Sequence, residues 1–315
     1  MYPFLHLIRF PNLLMIAFIQ CTMRYAVIFP LAQSHGVAFQ LSGFTFFCIV
    51  ISTMCTAAAG YAINDYFDLK TDTINRPDKV LVGKSISRRK TMLSHIILGG
   101  IGILLGGYVT WAAGIPKLVL AYIVVAGMLW LYSMVYKRLL IIGNVIVALF
   151  FAFVPIMVLL DIPPIYEAYG QLLMNQGVTL NFAVFWILGV ALFVFMTALS
   201  LDIIKDAENF EGDVAYGCRS LPVVLGDRYT KWTMIGINIV LVAMLGVAYG
   251  CFLRHLASSV SLFYLLIFLV IPLMIACLGI HRASTVDDYH RTGNLMKRVM
   301  FAGIAYSFVL WFVMW

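Results

Sequence analysis

Long apolar runs joined by short polar links dominate this chain. Nine runs approach or exceed the roughly 20 residues that a helix needs to cross a bilayer. They lie at about 13–33, 43–64, 91–112, 118–136, 139–160, 182–204, 231–252, 259–281 and 295–314. Backbone polar groups in hydrocarbon must be satisfied within their own segment, so each run is predicted to be an α-helix. The first run continues past any small-residue cleavage site, so it reads as a span and not as a cleaved signal peptide. Two connections are long and polar, at about 65–90 and 205–230. A third, 161–181, carries Asp161-Ile162-Pro163-Pro164 without any Lys or Arg, and has room for a short interfacial helix. The expected fold is therefore an all-α polytopic membrane protein of about nine transmembrane helices.

Composition agrees. The chain has 315 residues, 63% hydrophobic and 11% charged, with a mean hydropathy of +0.98. No soluble globular class has these values. The positions of the charges add orientation. Of 21 Lys and Arg residues, 18 fall on the side that carries the two long polar loops. Lys117 and Arg254 fall on the other side, and Arg24 lies inside the first span. By the positive-inside rule the loop-bearing side is cytoplasmic, which suggests a multi-pass protein of the inner cell membrane. The net charge of +7 suits an anionic leaflet and needs no nucleic acid. The six cysteines are scattered, mostly in spans, and form no CxxC pair, so neither a disulfide framework nor a metal ribbon is indicated.

Ten of the 14 acidic residues sit in those two loops and the helix ends before them. The first cluster is Asn64-Asp65-Tyr66-Phe67-Asp68-Leu69-Lys70-Thr71-Asp72, with Asp78 beyond it. The second runs from Asp202 through Asp206, Glu208 and Glu211 to Asp213, with Asp227 beyond it. Asp65, Asp68 and Asp72 follow helical spacing and share one stripe, as do Asp202 and Asp206. Carboxylates gathered on such stripes repel unless cations intervene. Oxygen-only ligands favour a hard cation, and Mg²⁺ prefers one or two carboxylates completed by water and substrate phosphate. The basic residues interleaved with the acids are Lys70, Arg76, Lys79, Lys84 and Arg88 in the first loop and Lys205 and Arg219 in the second. Tyr136-Lys137-Arg138 lies at a helix end on the same side. Carboxylates holding metal beside cations that cover the remaining oxygens make a site for a metal-bound diphosphate. An apolar surrounding adds a lipid-soluble tail, which an isoprenyl diphosphate supplies. Tyr61, Tyr66, Phe67, Tyr132 and Tyr136 offer ring faces to an allylic cation.

The two loops also resemble each other. Carboxylates four apart lead to Arg76-Pro77-Asp78-Lys79-Val80-Leu81-Val82-Gly83 in one and to Arg219-Ser220-Leu221-Pro222-Val223-Val224-Leu225-Gly226 in the other. This suggests an internal repeat of about four spans within a single domain covering 1–315, at about 1–136 and 137–281, with a last helix at 295–314. Two four-helix-like half-bundles around a central cavity, capped by the cytoplasmic loops, would follow. Other polar residues have plainer readings. Glu211 and Asp213 can cap or fold their loop, and Asp78 and Asp227 suit the surface. Lys84, Arg88, Arg89 and Lys90 form a charge run that can rest on anionic lipid. Arg24 can snorkel, pair with a buried acceptor or touch substrate.

These motifs resemble the paired signatures of the UbiA superfamily of intramembrane prenyltransferases. Asn64-Asp65-x-x-Asp68-x-x-x-Asp72 and Asp202-x-x-x-Asp206 carry the resemblance. Arg9-Phe10-Pro11-Asn12, Ile74-Asn75-Arg76-Pro77 and the stretch from Tyr132-Ser133 through Tyr136-Lys137-Arg138 to Gly143-Asn144 are also similar. Lys205-Asp206-x-Glu208-x-x-Glu211-Gly212-Asp213 with Leu221-Pro222 is most similar to the branch that prenylates prenylated glycerol phosphates. The chain departs from that branch at Leu201-Asp202, where a basic–acidic pair is expected, and at Asn209, where Asp is expected. The resemblance implies that Asp65, Asp68, Asp72, Asp202 and Asp206 hold two Mg²⁺ ions with help from Asn64. It implies that Asn12, Arg76, Lys84, Tyr136, Lys137, Lys205 and Arg219 contact the substrates. The substrates would be an isoprenyl diphosphate, with geranylgeranyl favoured, and a lipophilic acceptor. An acceptor hydroxyl would give an ether, and an aromatic or haem acceptor would give a different product. A cation or anion transporter is the reading from another class. It would place its ionisable groups at mid-bilayer in interrupted helices.

Overall fold

The computed structural model describes residues 2–177, 179–253 and 259–314. Arg254, assigned above to the non-cytoplasmic side, lies outside them. Among the described residues the chain is helical, with one isolated bridge between Val82 and Ile86. In chain order the helices are α1 (Tyr2–Leu7), α2 (Phe10–Ser34), α3 (Gly43–Phe67), α4 (Leu69–Asn75), α5 (Arg88–Ala112), α6 (Val119–Met134) and α7 (Ile142–Ile156). They continue as α8 (Ile162–Asn175), α9 (Asn181–Glu208), α10 (Phe210–Ala215), α11 (Leu221–Ala248), α12 (Ser259–Arg282) and α13 (Val286–Met314). Nine segments among the described residues are long and apolar enough to cross a membrane, matching the nine predicted runs. The connection at 161–181 does contain a helix, α8.

Several helices begin before their apolar run. Helix α5 starts at Arg88, α11 at Leu221 and α13 at Val286, against predicted starts of 91, 231 and 295. Hydropathy marks where the bilayer begins, whereas a helix continues into the aqueous layer as long as its residues favour it.

The chain divides into two compact units. The first comprises 1–137 and 154–187, the second 138–153 and 188–315. In the first, α5 packs closely on α3 because its facing residues are small. A side chain at Gly102 would collide with Thr56 Oγ1 on α3, and on the α6 side one at Gly106 would lie 2.5 Å from the Tyr122 ring. Without a hydrophobic force between helices in lipid, such small-residue stripes let backbones approach and gain dispersion contacts. In the second unit a side chain at Gly303 would run into the Phe193 ring.

The first unit also buries an ion pair at membrane depth. Arg24, on a π-helical turn of α2 (Met23–Ile28), is 2% exposed, and Asp161 is 1% exposed. Their Nε and Oδ2 atoms lie 3.4 Å apart. The guanidinium donates to Leu41 O at 2.8 Å and stacks 4.4 Å from the Phe39 ring and 4.3 Å from the Phe46 ring. Arg24 therefore pairs with a buried acceptor. Removing one member of such a pair costs about 3–5 kcal/mol, because the other charge stays buried.

The first polar loop folds back as an apolar plug. Val82 packs with Leu7 and Ala62, supported by Leu69, Leu81 and Ile86. Gly83 (φ 84°) makes its turn. The matching stretch of the second loop instead forms the first turns of α11, broken at Gly226 (φ 77°, ψ 168°). The two stretches share a left-handed glycine but differ in fold.

Candidate active site

In each unit an acidic cluster occupies the C-terminal end of an apolar helix. Helix α3 is capped at its start by Ser42, whose Oγ accepts from Thr45 N at 3.1 Å, and ends one residue before Asp68. Helix α9 ends at Glu208, placing Asp202 and Asp206 in its last two turns. The backbone dipole is negative there, so carboxylates are disfavoured unless cations join them. A merely solvated helix end would carry Lys or Arg instead.

Around the first cluster the chain changes direction at Asp68 without losing its hydrogen bonds. Asp68 N donates to Asn64 O, and Asp72 N donates to Asp68 O, both at 2.9 Å. The predicted stripe thus survives the boundary between α3 and α4. Arg9 Nη2 donates to Asp65 Oδ1 at 3.0 Å, and its guanidinium lies 4.9 Å from the Tyr61 ring centroid. Arg9 adopts a left-handed conformation (φ 50°, ψ 53°) that costs a non-glycine residue about 1–2 kcal/mol. The break it makes between α1 and α2 aims its side chain at Asp65. Asn12 contributes through Tyr61, donating to the phenol oxygen at 3.5 Å. Asn64 Nδ2 donates to Asp68 Oδ2 at 2.7 Å. Lys137 forms an ion pair with Asp68 and also donates to Asn64 Oδ1 at 3.4 Å.

Charge balance in this cluster follows from burial. Burial alone would lower the Lys137 pKa, but Asp68 and then Asp72 outweigh it and hold the ammonium above its usual range. Asp72 makes no side-chain hydrogen bond or ion pair among the described residues. Burial and then the Asp68 charge raise its carboxyl to about 6.

The second cluster is bridged by an amide. Asn144 Nδ2 donates to Asp202 Oδ2 at 3.1 Å and to Asp206 Oδ2 at 2.7 Å, and its side chain is buried. It sits at the start of α7, just after Ile141 in a left-handed conformation (φ 53°). His290 Nδ1 contacts Glu208 Oε1 at 3.0 Å.

Arg76 closes α4, and Lys84 Nζ donates to Pro77 O at 2.8 Å, tying its loop together. Tyr136 lies in the single turn Tyr136–Arg138 that presents Lys137. Lys205 is on α9 between the two carboxylates, and the exposed Arg219 donates its backbone N–H to Arg138 O at 3.0 Å. Asp213 N donates to Asn209 O at 3.2 Å and Asp213 O accepts from Cys218 N at 2.9 Å, so the backbone of this residue folds the loop. The residues that sequence reasoning left out of the site are Arg9 and Asn144. Both lie in stretches with family-like sequence, which was the available signal.

The donor set fits a hard divalent cation that brings its own ligands. All candidate donors are carboxylate or amide oxygens. No three His, Cys, Asp or Glu residues among those described form a ready-made cage. Mg²⁺ needs no such cage, because waters and substrate phosphates complete its shell.

Comparison with known proteins places the chain in a family. The model of the UbiA prenyltransferase family matches residues 25–305. Digeranylgeranylglyceryl phosphate synthase from Thermococcus gammatolerans is 28% identical over 258 residues, 81% of each chain. The synthase from Methanosphaera stadtmanae is 26% identical over 310 residues, 96% of this chain and 98% of its own. Among solved structures, one described as a digeranylgeranylglyceryl phosphate synthase superposes with a TM-score of 0.64 at 20% identity, covering 98% of both chains. A UbiA homologue from Archaeoglobus fulgidus bound to GPP and Mg²⁺ superposes with a TM-score of 0.55 at 16% identity, covering 98% of this chain and 99% of its own. Family membership displaces the transporter reading, and the buried Arg24–Asp161 ion pair is closed upon itself. The chain belongs to the UbiA prenyltransferase family and is an integral-membrane prenyltransferase.

Proposed function

We propose that this enzyme transfers a geranylgeranyl group from its diphosphate to the hydroxyl of a prenylated glycerol phosphate, with two Mg²⁺ ions, at the cytoplasmic face of the membrane. The observation that carries the reading is the placement of both acidic clusters at the C-terminal ends of apolar helices. In this reading Asn64, Asp65, Asp68 and Asp72 hold one ion, and Asp202 and Asp206 hold the other. When bound, the ions supply neutralisation of the charge that builds on the departing diphosphate. Lys137, which pairs with Asp68, would turn to a phosphate oxygen when substrate arrives. Arg76, Lys205, Arg219 and Lys84 add positive charge around the diphosphate, while Asn12 and Tyr136 line the approach. The allylic C–O bond breaks with its electron pair on the diphosphate, the acceptor hydroxyl oxygen attacks the allylic carbon, its proton passes to the departing diphosphate, and an ether forms.

The lipid acceptor is supported by the names of the relatives, which are digeranylgeranylglyceryl phosphate synthases. Mg²⁺ and an isoprenyl diphosphate are supported by the homologues solved with DMAPP or GPP and Mg²⁺. A second reading, an aromatic acceptor, is favoured by the departures at Leu201-Asp202 and Asn209. Purified enzyme with labelled geranylgeranyl diphosphate and a panel of geranylgeranylglycerol phosphate, hydroxybenzoate, dihydroxynaphthoate and haem separates the two. Label is expected in the glycerol lipid only. Label in an aromatic product alone overturns the lipid-ether reading. Chelation with EDTA is expected to stop turnover and added Mg²⁺ to restore it, and turnover in EDTA counts against the metal sites.

A further inference from the structure

The charge run Arg88-Arg89-Lys90 stands outside the reaction described above. It opens α5, and together with Tyr66 its arginines head a groove of about 510 Å³ whose walls are Met92, Leu93 and Ile96. Arg88, Met92 and Ile96 are spaced by four, as are Arg89 and Leu93, so the groove runs down one stripe of the helix. From Arg88 to Ile96 the stripe descends about 12 Å toward the membrane interior. Leu93 is 55% exposed and Ile96 58%, so the apolar walls face outward into lipid.

The head of the groove is built and not merely basic. The Arg88 guanidinium stacks 4.7 Å from the Tyr66 ring centroid. Tyr66 meets Phe67 edge-on at 5.3 Å, Phe67 meets Trp130 at 6.4 Å, and Trp130 meets His95 at 5.4 Å. His95 Nδ1 is in turn 3.0 Å from Ala59 O. This chain of contacts fixes the ring under the guanidinium. Stacking uses the face of a guanidinium and leaves the donors on its edge for a phosphate. Among the described residues neither Arg88 nor Arg89 forms an ion pair with a carboxylate, and the positive end of the α5 dipole adds to their charge.

We propose that this groove binds one anionic phospholipid of the surrounding bilayer, its phosphate on Arg88 and Arg89 and an acyl chain along Met92, Leu93 and Ile96. The charge and the apolar wall match such a lipid end to end. A lipid held there would rest against Tyr66, one residue from Asp65, and would steady the end of α3 from outside.

The test is native mass spectrometry of the full-length protein in neutral detergent, titrated with dioleoylphosphatidylglycerol or dioleoylphosphatidylcholine. The wild type is expected to retain one phosphatidylglycerol preferentially. R88Q/R89Q is expected to weaken that retention about thirtyfold, at about one power of five per arginine. Arg88→Lys, which keeps the charge but loses the flat stack, covers the case in which the double variant fails to fold. It is expected to weaken retention about threefold. Equal retention of phosphatidylcholine, unchanged retention in both variants, or displacement by millimolar inorganic phosphate would overturn the proposal. Because the readout is lipid retention, failure here leaves the prenyl-transfer reading standing.

Discussion

The two acidic clusters solve the same electrostatic problem differently. In the first, the carboxylates are compensated by full charges from distant parts of the chain: Arg9 on Asp65 and Lys137 on Asp68. In the second, a neutral buried amide, Asn144, bridges Asp202 and Asp206. A cation partner competes with any incoming metal for the same oxygen. A bridging amide orients two carboxylates through one oxygen of each. The first cluster is thus suited to exchange partners when substrate arrives, while the Asn144 bridge fixes Asp202 and Asp206 relative to each other. The Arg24–Asp161 pair of the first unit marks the other extreme, a charge pair sealed from any exchange.

The largest effect tests whether both clusters are needed. Asp68→Ala and Asp202→Ala are each expected to lower prenyl transfer by about 10³-fold or more, since in the proposed mechanism each removes a charge used as the diphosphate leaves. Expression and the helical circular dichroism spectrum should stay as in the wild type. Full activity in Asp202→Ala with none in Asp68→Ala would reduce the second cluster to a structural helix end.

Much of this was readable from the residues. Nine spans follow from runs of apolar residues too long for any other role, and the carboxylate stripes follow from spacing along single helices. The partners of those carboxylates were harder. Arg9 reaches Asp65 across 56 positions, and Asn144 reaches Asp206 across 62. Neither contact has a periodicity, because tertiary packing alone brings the residues together. Arg9 needs a left-handed backbone that hydropathy does not reveal. Asp161 looked like a loop residue, yet it is buried against Arg24, because the apolar segment continues past it into α8. The loop similarity around Gly83 and Gly226 was visible, but the fold of each stretch depends on what it packs against.

The contrast between a displaceable cation and a fixed amide is sharpened by a pair of substitutions with opposite effects on metal. Lys137→Met removes the competitor for Asp68 and the cation offered to the diphosphate. Turnover should fall about 10²-fold, while the Mg²⁺ concentration for half-maximal binding falls too. Asn144→Ala leaves Asp202 and Asp206 without their shared donor. Turnover should fall about tenfold, and the half-maximal Mg²⁺ concentration should rise by a similar factor. Calorimetric titration of each variant with Mg²⁺ and a non-hydrolysable diphosphate reads both shifts. If both variants move the metal midpoint in the same direction, the distinction between the clusters is lost.

The smallest effect concerns protons. Burial and the Asp68 charge raise the Asp72 carboxyl to about 6, so this group titrates near neutrality in the metal-free protein. Only the ionised carboxylate accepts a cation, so the proposed Mg²⁺ binding at the first cluster should strengthen as pH rises through about 6 and weaken as pH falls. Between pH 7 and pH 5 the ionised fraction drops from about 0.9 to about 0.1, which predicts a loss of about tenfold in metal affinity. Asp72→Asn removes the titrating group, so it should bind Mg²⁺ more weakly at pH 7 and with a flatter profile across this window. The Lys137 ammonium stays charged throughout and contributes no slope, because its carboxylate neighbours hold its pKa above the usual range. A wild-type profile that is flat between pH 5 and 7, or one whose slope survives in Asp72→Asn, would remove Asp72 from the metal-binding set and leave the first cluster with Asp65 and Asp68, as few carboxylates as the second.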